Sequence, residues 1–178
     1  MGNSAYWGMR HLVSRTLGLL YLCTCSSLTS CSSYKSSAEC YSGPPASLYG
    51  SSAGAPAKAP AIVHQAMQAG NRIQNAPYQY GGGHGAPCWG LDCSGSVSYV
   101  LRSCGLLQDA MPSKGFRNYG ESGPGKWVTI FSRDGHVFMT IAGLRLDTSS
   151  SGRSDVGPRW TRKPRSIKGF RVRHPSGL

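Results

Sequence analysis

The order of the hydrophobic periodicities constrains the fold of this 178-residue chain most. The segment 60–75, "PAIVHQAMQAGNRIQN", places apolar residues on one helical stripe, and a second stripe runs from about Cys93 to Cys104 and ends at Gly105. The later segments "WVTIFS", "HVFMTIAG", "LRLDTS" and "GFRVRH" are short, β-branched and aromatic, as strands usually are. Helices followed by antiparallel strands predict one α+β domain over residues 60–178.

The N-terminus has the layout of a signal peptide. Arg10 and Arg15 precede "TLGLLYLCTC", an apolar stretch too short to span a bilayer as a helix. "LTSC" follows and resembles the lipobox of bacterial lipoproteins, whereas "YLCTC" is a weaker match because Cys23 interrupts it. We expect residues 1–30 to be removed and Cys31 to be lipidated. The chain would then be an exported, membrane-anchored lipoprotein of the cell envelope, periplasmic or at the cell surface.

The segment that follows the proposed lipidation site has the composition of a linker. Residues 31–59 are rich in Ser, Ala, Gly and Pro and contain almost no branched aliphatic side chains. Such a segment buries too little apolar surface to fold alone. We therefore expect a flexible tether that lets the domain reach away from its membrane.

Cys93 lies where the glycine-rich loop "YGGGHGAPCWGLD" meets the second predicted helix. Asp92 is a good N-cap residue, so Cys93 falls in the first helical turn. The unpaired amides and the helix dipole there favour an anion such as a thiolate. The glycines allow backbone amides to approach a substrate, as an oxyanion site requires. Cys93 is therefore a candidate nucleophile, although a cysteine in such a loop is often structural or redox-active.

A nucleophilic cysteine needs a base, and the base needs a group that orients it. His136 follows the "RDG" turn at the start of a predicted strand, and Asp147 lies one strand and a tight turn later. Adjacent antiparallel strands would bring these two side chains together. His174 in "VRHP" competes for the orienting role, but a carboxylate stabilises an imidazolium better than a second imidazole does.

Zinc binding is the alternative use of these cysteines, with His84, Cys88, Cys93 and Cys104 as ligands. The sequence holds no CxxC pair, and the spacings match no common zinc site. We therefore expect neither a metal nor an organic cofactor.

Basic residues are concentrated near the C-terminus of a chain whose formal net charge is +12. The segment 153–173 holds eight Lys or Arg residues and a single acid, Asp155. Such a stripe favours nucleic acid, acidic lipid headgroups or an acidic polymer such as cell wall, or it is simply a solvated edge. Export makes a nucleic-acid partner unexpected.

Three stretches of the sequence resemble the NlpC-type cell-wall peptidases, a bacterial branch of the papain-like cysteine hydrolases. They are "PYQYGGGH", "LDCSGSVSYVL" and "DGHVFMTIAGLRLDTS", and the resemblance covers about residues 61–174. It implies a papain-like fold in which a helix carrying the nucleophile packs on an antiparallel sheet carrying the base. Cys93 matches the family nucleophile and His136 its base. Asp147 falls at the third position, where the family often has His, Asn or Gln.

The resemblance also implies a substrate, the stem peptides of peptidoglycan, usually cleaved between D-glutamate and a diamino acid. Tyr78 matches a loop tyrosine of the family and would line the cleft. Asp92 would bind a cationic group of the stem peptide, and Ser94 beside it is also expected to bind the substrate. His84 has no clear counterpart and could close the cleft or only cap a turn.

Other functions remain open at the level of sequence. An amidase or acyltransferase could use the same thiol on the same scaffold. An inactive cell-wall-binding module could keep the fold, although Cys93, His136 and Asp147 are all retained. We expect a monomer whose partners are stem peptides and, through its lipid, a membrane.

The lipid anchor predicts a change of cell fraction. Replacing Cys31→Ala should move the protein from a detergent-requiring membrane fraction to a soluble one, because each buried CH₂ of a lipid contributes about 0.8 kcal/mol. Fractionation and immunoblotting of both forms measure this. A Cys31→Ala protein that still sediments with membranes would mean that the leader or the basic stripe holds it there.

Overall fold

The computed structural model describes residues 34–84, 89–149 and 157–178. The predicted signal peptide, the predicted lipidation site Cys31 and the loop residue Cys88 lie outside the described residues. In chain order the elements are a 3-10 helix (Ser37–Cys40), β1 (Ser47–Tyr49), β2 (Ser52–Gly54), α1 (Ala61–Ile73), α2 (Cys93–Ser103), a second 3-10 helix (Gly115–Asn118), β3 (Glu121–Ser122), β4 (Val128–Arg133), β5 (His136–Ile141), β6 (Leu144–Asp147), β7 (Arg159–Thr161) and β8 (Arg171–His174). The predicted α+β class is confirmed.

The two predicted helices form where the sequence places them. α1 begins after Pro60 and buries the face that holds Val63 and Ala66. α2 begins at Cys93, and the side chain of its N-cap, Asp92, accepts a hydrogen bond from a backbone amide of the first turn. Beyond the end of α2, Gly105 adopts a φ of 68°, a left-handed conformation that suits glycine.

A six-stranded antiparallel sheet carries both helices on one face. Its strand order is β3-β8-β4-β5-β6-β7. The hairpin between β5 and β6 turns through Ala142 and Gly143, which both have positive φ. The predicted strands correspond to β4, β5, β6 and β8, whereas β1, β2, β3 and β7 were not predicted. These four strands are only two or three residues long, so they carry almost no periodic signal.

The sheet is buried on both faces. Side chains such as Val137 and Met139 pack with the helices in the larger core. Phe131, Phe138 and Val172 belong to a second, smaller core on the opposite face. Because both faces are covered, five consecutive residues of β4 are buried, and the polar alternation of a half-exposed strand is absent from it.

The segment 34–59 is packed on the domain, so the prediction of a flexible tether over residues 31–59 does not hold there. Cys40 enters the smaller core, and Ala46 is 2% exposed. The amide of Ala46 donates to the carbonyl of Ala142 at 2.9 Å. Small side chains let this segment lie close to the sheet, where backbone hydrogen bonds supplement the few large apolar side chains of the segment that pack against the two cores.

None of the helices within the described residues is long and apolar enough to cross a membrane.

The packing of the N-terminal segment predicts a stability effect at Asn71 on α1. Its Oδ1 accepts from Ala53 N at 2.9 Å and from Trp160 Nε1 at 2.8 Å, and its Nδ2 donates to Ala53 O at 2.8 Å. Asn71→Ala should lower the free energy of unfolding by about 3 kcal/mol, because two part-buried donors lose their acceptor. Urea unfolding measures the change.

The matched control is Gln65→Ala, an exposed position on the same helix. It should change stability by less than about 0.5 kcal/mol. Equal stability of the Asn71→Ala protein and the wild type would show that this link does not hold the segment in place.

Candidate active site

Cys93 is the first residue of α2, as the sequence predicts. Its N-cap, Asp92, is 7% exposed and accepts a hydrogen bond from Gly95 N at 2.6 Å through Oδ1. This bond fixes the first helical turn and therefore the direction in which the Cys93 side chain leaves the backbone. Cys93 as a whole residue is 9% exposed, so it is largely shielded from bulk water, and it lines a cleft.

Close packing explains the glycines on both sides of Cys93. A Cβ on Gly95 would lie 2.0 Å from the carbonyl oxygen of Gly82. Gly83 has a φ of +88°, and a Cβ there would lie 2.8 Å from the Gly95 Cα. The loop backbone thus lies directly against the first turn of α2, at a distance that only glycine allows. These glycines are therefore needed for the packing of the loop on the helix, whether or not their amides also approach a substrate.

His136 connects the helix layer to the sheet. It is the first residue of β5, so its ring lies at the end of the sheet. Its Nε2 is 3.0 Å from Asp147 Oδ1, and its side chain is also hydrogen-bonded to Cys93. Because Asp147 occupies Nε2, Nδ1 is the ring nitrogen left for the thiol. The structure therefore brings together all three predicted catalytic side chains.

The charge state of His136 follows from these contacts. Burial lowers its pKa, but the hydrogen bonds with Asp147 and Cys93 outweigh burial and leave the pKa raised. The imidazole is thus favoured as a proton acceptor next to a thiol.

The Asp147 carboxylate is buried and saturated with donors. Its Oδ1 accepts from His136 and from Ser149 N at 2.9 Å, and its Oδ2 accepts from Arg165 Nη1 at 2.9 Å. Arg145 Nη1 lies 3.6 Å from Oδ2. Burial raises the pKa of Asp147, but the hydrogen bond and charge of His136, the Ser149 amide and the charge of Arg165 together outweigh burial and lower it. Asp147 is therefore ionised at neutral pH.

Strand register explains why Asp147 and His136 meet. Met139 on β5 pairs with Leu146 on β6. Continuing the register places Asp147 opposite Phe138, and His136 is two residues along β5 on the same face. His174 lies elsewhere: its Nδ1 is 3.0 Å from the carbonyl oxygen of Gly123 and its Nε2 is 3.6 Å from Glu121. The geometry favours Asp147 as the orienting residue.

A cleft of about 310 Å³ opens beside Cys93. It is lined by Tyr78, Tyr80, Gly81, His84, Asp92, Cys93, Ser94, Pro112, Ser113 and Gly135. A larger cavity of about 370 Å³ lies near the other end of the sheet, beside Trp127. That cavity contacts none of the predicted catalytic residues, so the smaller cleft is the candidate site.

Tyr78 lies in the cleft, as the sequence predicts. Its backbone forms a β-bridge with Leu91, two residues before Cys93. Burial, with smaller contributions from Cys93 and Asp92, raises the pKa of Tyr78. The phenol therefore stays protonated at neutral pH and is a hydrogen-bond donor beside the thiol.

His84, Asp92 and Ser94 form one hydrogen-bonded cluster at the cleft. His84 Nε2 is 3.2 Å from Asp92 Oδ1 and 3.1 Å from Ser94 Oγ, and Ser94 Oγ donates to the same Asp92 oxygen at 2.9 Å. Asp92 Oδ2 accepts from Gly81 N at 3.0 Å. Both Asp92 oxygens are thus engaged within the protein, so the cluster holds the glycine-rich loop on α2. Binding of a cationic substrate group by Asp92 stays a prediction.

Sequence reasoning missed the two arginines at Asp147 and counted Arg165 only as part of a basic stripe. The structure uses other members of the stripe internally as well. Arg173 donates to the carbonyl of Tyr119, and Arg159 donates to that of Pro158. No spacing rule could have found Arg165, because it meets Asp147 only through tertiary packing.

Within residues 34–84, 89–149 and 157–178, no group of three or more His, Cys, Asp or Glu side chains could hold a metal ion. Cys88, one member of the alternative zinc set, lies outside those residues. In comparisons with known proteins, no family model and no curated protein matches the chain. Proposals about its chemistry therefore depend on the geometry of the site and on the sequence resemblance.

The contacts of His136 predict its titration. In Asp147→Asn the pKa of His136 should fall, because the charge that favours the imidazolium is lost while burial remains. In the wild type the raised pKa makes protonated His136 stabilise the fold at acid pH, a contribution that is lost as the pH rises through that pKa. NMR titration of the imidazole signals measures this.

His174→Ala is the control for that experiment, since His174 contacts Gly123 and Glu121 instead. It should leave the His136 titration unchanged. The reverse result, an unchanged titration in Asp147→Asn and a lowered one in His174→Ala, would move the orienting role to His174.

Proposed function

We propose that this chain is a cysteine peptidase that hydrolyses stem-peptide amide bonds of peptidoglycan. The observation that carries the proposal is that His136 is hydrogen-bonded to both Cys93 and an ionised, buried Asp147. A nucleophile, a base and an orienting group in contact are what covalent acyl transfer requires. The position of the nucleophile at a helix N-terminus and of the base on an antiparallel sheet is the arrangement expected of a papain-like fold.

The chemistry proposed for Cys93 has two halves. The thiol gives its proton to His136, and the thiolate attacks the carbonyl carbon of the scissile amide. The imidazolium then protonates the leaving amine, which departs and leaves an acyl group on the sulfur. In the second half His136 removes a proton from water, the resulting hydroxide attacks the thioester, and the acid product leaves as the thiol re-forms.

Asp147 supports this cycle from behind the imidazole. The Asp147 carboxylate accepts a hydrogen bond from Nε2–H of His136. It therefore selects the His136 tautomer whose unprotonated Nδ1 can take the thiol proton. Its negative charge stabilises the imidazolium that exists between proton uptake and proton release. Among the first-turn amides of α2, that of Gly95 already donates to Asp92, so the amides of Cys93 and Ser94 are the donors we propose for the oxyanion that forms beside Cys93.

The choice of substrate is supported by the sequence. The stretches around Cys93 and His136 resemble NlpC-type peptidases, and the predicted leader and lipid anchor would deliver the chain to the envelope where peptidoglycan lies. The cleft, with its tyrosines, serines and a histidine, offers hydrogen-bonding groups to a peptide chain. We propose the bond from D-glutamate to a diamino acid as the one cleaved.

Product analysis tests the proposal directly. Purified muropeptides incubated with the protein should release peptides cut within the stem. Release of a whole stem from its sugar would indicate an amidase, transfer to an added amine would indicate an acyltransferase, and binding without any product would indicate a wall-binding module. Each of these three results would overturn the proposal.

The nucleophile gives a separate prediction. Cys93→Ala should abolish stem-peptide cleavage and leave the fold intact, because alanine suits the first turn of a helix. Iodoacetamide at neutral pH should label Cys93 faster than Cys104, since burial raises the pKa of the Cys104 thiol. Cys88 should also react more slowly than Cys93. Chromatography of muropeptides and mass mapping of the alkylated cysteines measure both effects.

Cys104→Ala is the matched control, because it removes a thiol on the same segment outside the cleft. It should keep wild-type turnover. Wild-type turnover by Cys93→Ala, or equal labelling of the three thiols, would refute the thiolate mechanism.

A further inference from the structure

Arg165 lies behind the candidate catalytic residues, in the loop between β7 and β8. Its Nη1 donates to Asp147 Oδ2 at 2.9 Å and to the carbonyl of Ser149 at 3.4 Å. The Asp147 side chain has no exposed surface, and that of Arg165 is 21% exposed. This pair is therefore an ion pair shielded from water, where loss of one partner has a large effect.

Two aromatic rings lie near both the Arg165 guanidinium and the His136 imidazole. The guanidinium carbon of Arg165 lies 5.4 Å from the ring centroid of Phe138 and 5.7 Å from that of Phe170. The His136 ring lies 6.3 Å from each of the same two rings. Arg165 and His136 thus lie near the same two aromatic rings, so a shift of one side chain changes the space available to the other.

The backbone of Arg165 is fixed as well. Its amide donates to Ser37 Oγ at 3.1 Å, and its carbonyl accepts from Ser37 N at 2.9 Å. Ser37 is 3% exposed and belongs to the N-terminal segment that packs on the domain. The side chain therefore approaches Asp147 from an anchored loop position.

We propose that Arg165 is a positioning residue of the site, which holds the Asp147 carboxylate in the orientation that directs His136 toward Cys93. The kinetic consequence rests on the proposed function, but the geometric consequence at His136 does not. The two Asp147 oxygens accept from different donors. Oδ1 accepts from His136 and from Ser149 N, and Oδ2 accepts from Arg165. Holding Oδ2 stops the carboxylate from rotating and keeps Oδ1 in line with Nε2.

Arg145 does not substitute for Arg165 in this role. Its Nη1 is 3.6 Å from Asp147 Oδ2, beyond a good hydrogen-bond distance. It supplies positive charge without a directed bond. A planar guanidinium that donates to Asp147 and Ser149 while it lies against aromatic rings combines properties that lysine lacks.

The experiment compares Arg165→Met and Arg165→Lys with the wild type in the full chain. Nitrogen-15 NMR of the neutral imidazole reports whether the proton is on Nε2 or Nδ1. The wild type should carry it on Nε2, and Arg165→Met should show a mixture. On stem peptides kcat should fall at least about tenfold with KM changed less than about twofold, as misplacement of a catalytic group does. Arg165→Lys should be intermediate.

Arg162→Met is the matched control, because it removes an exposed arginine of the same β7–β8 segment whose contact, with the carbonyl of Ala46, is 3.5 Å long. It should match the wild type in tautomer and in kcat. Circular dichroism and urea unfolding establish that each variant is folded.

A folded Arg165→Met protein with the wild-type tautomer and wild-type kcat would overturn the proposal and leave Arg165 a role in stability alone. If Arg165→Met does not fold, the His136 tautomer and the kcat of Arg165→Lys decide instead, and wild-type values of both would overturn the proposal. A wild type that cleaves no stem peptide would refute the proposed function, and the His136 tautomer would still decide the role of Arg165.

Discussion

The buried carboxylate of Asp147 is the constraint on which the rest of the site depends. An ionised carboxylate without exposed surface needs donors on every side, and it has them from His136, Ser149 and Arg165. Each donor comes from a different part of the chain: the start of β5, the residues after β6, and the loop before β8. Satisfying one charge therefore fixes the relative positions of three segments, and the imidazole is one of the groups so fixed.

The sheet that carries this carboxylate is covered on both faces, whereas a simple helix-on-sheet domain covers only one. The helices and the later part of the N-terminal segment, which includes Ala46 and Ala53, cover one face of the sheet, whereas the start of that segment, around Cys40, and the β7–β8 loop cover the other. Ser37 ties those two coverings together by hydrogen bonds to Arg165. Since both faces are protected, the Asp147 carboxylate lies away from water and Arg165 is largely shielded from it, and hydrogen bonds to a charge are strongest in such surroundings.

The cleft side of the site is built by different means. Asp92 caps α2, accepts from the loop amide of Gly81 and contacts His84, so one side chain joins the loop to the helix that begins at Cys93. The proposed peptidase thus has a rigid base from the sheet and a rigid nucleophile from the helix. Their meeting point is the contact of His136 with Cys93. The substrate class proposed for this site comes from the sequence resemblance and the predicted export.

The sequence by itself determined the two helices, the central strands and the three candidate catalytic residues, because these depend on local periodicity, an N-cap at Asp92 and the short spacing between neighbouring strands. It could not determine that residues 34–59 pack on the domain, since their small side chains carry no apolar pattern. Nor could it separate Arg165 from the other basic residues of its segment. Only the tertiary structure decided these points, because the contacts join residues far apart in sequence, and no local pattern encodes which distant groups will meet.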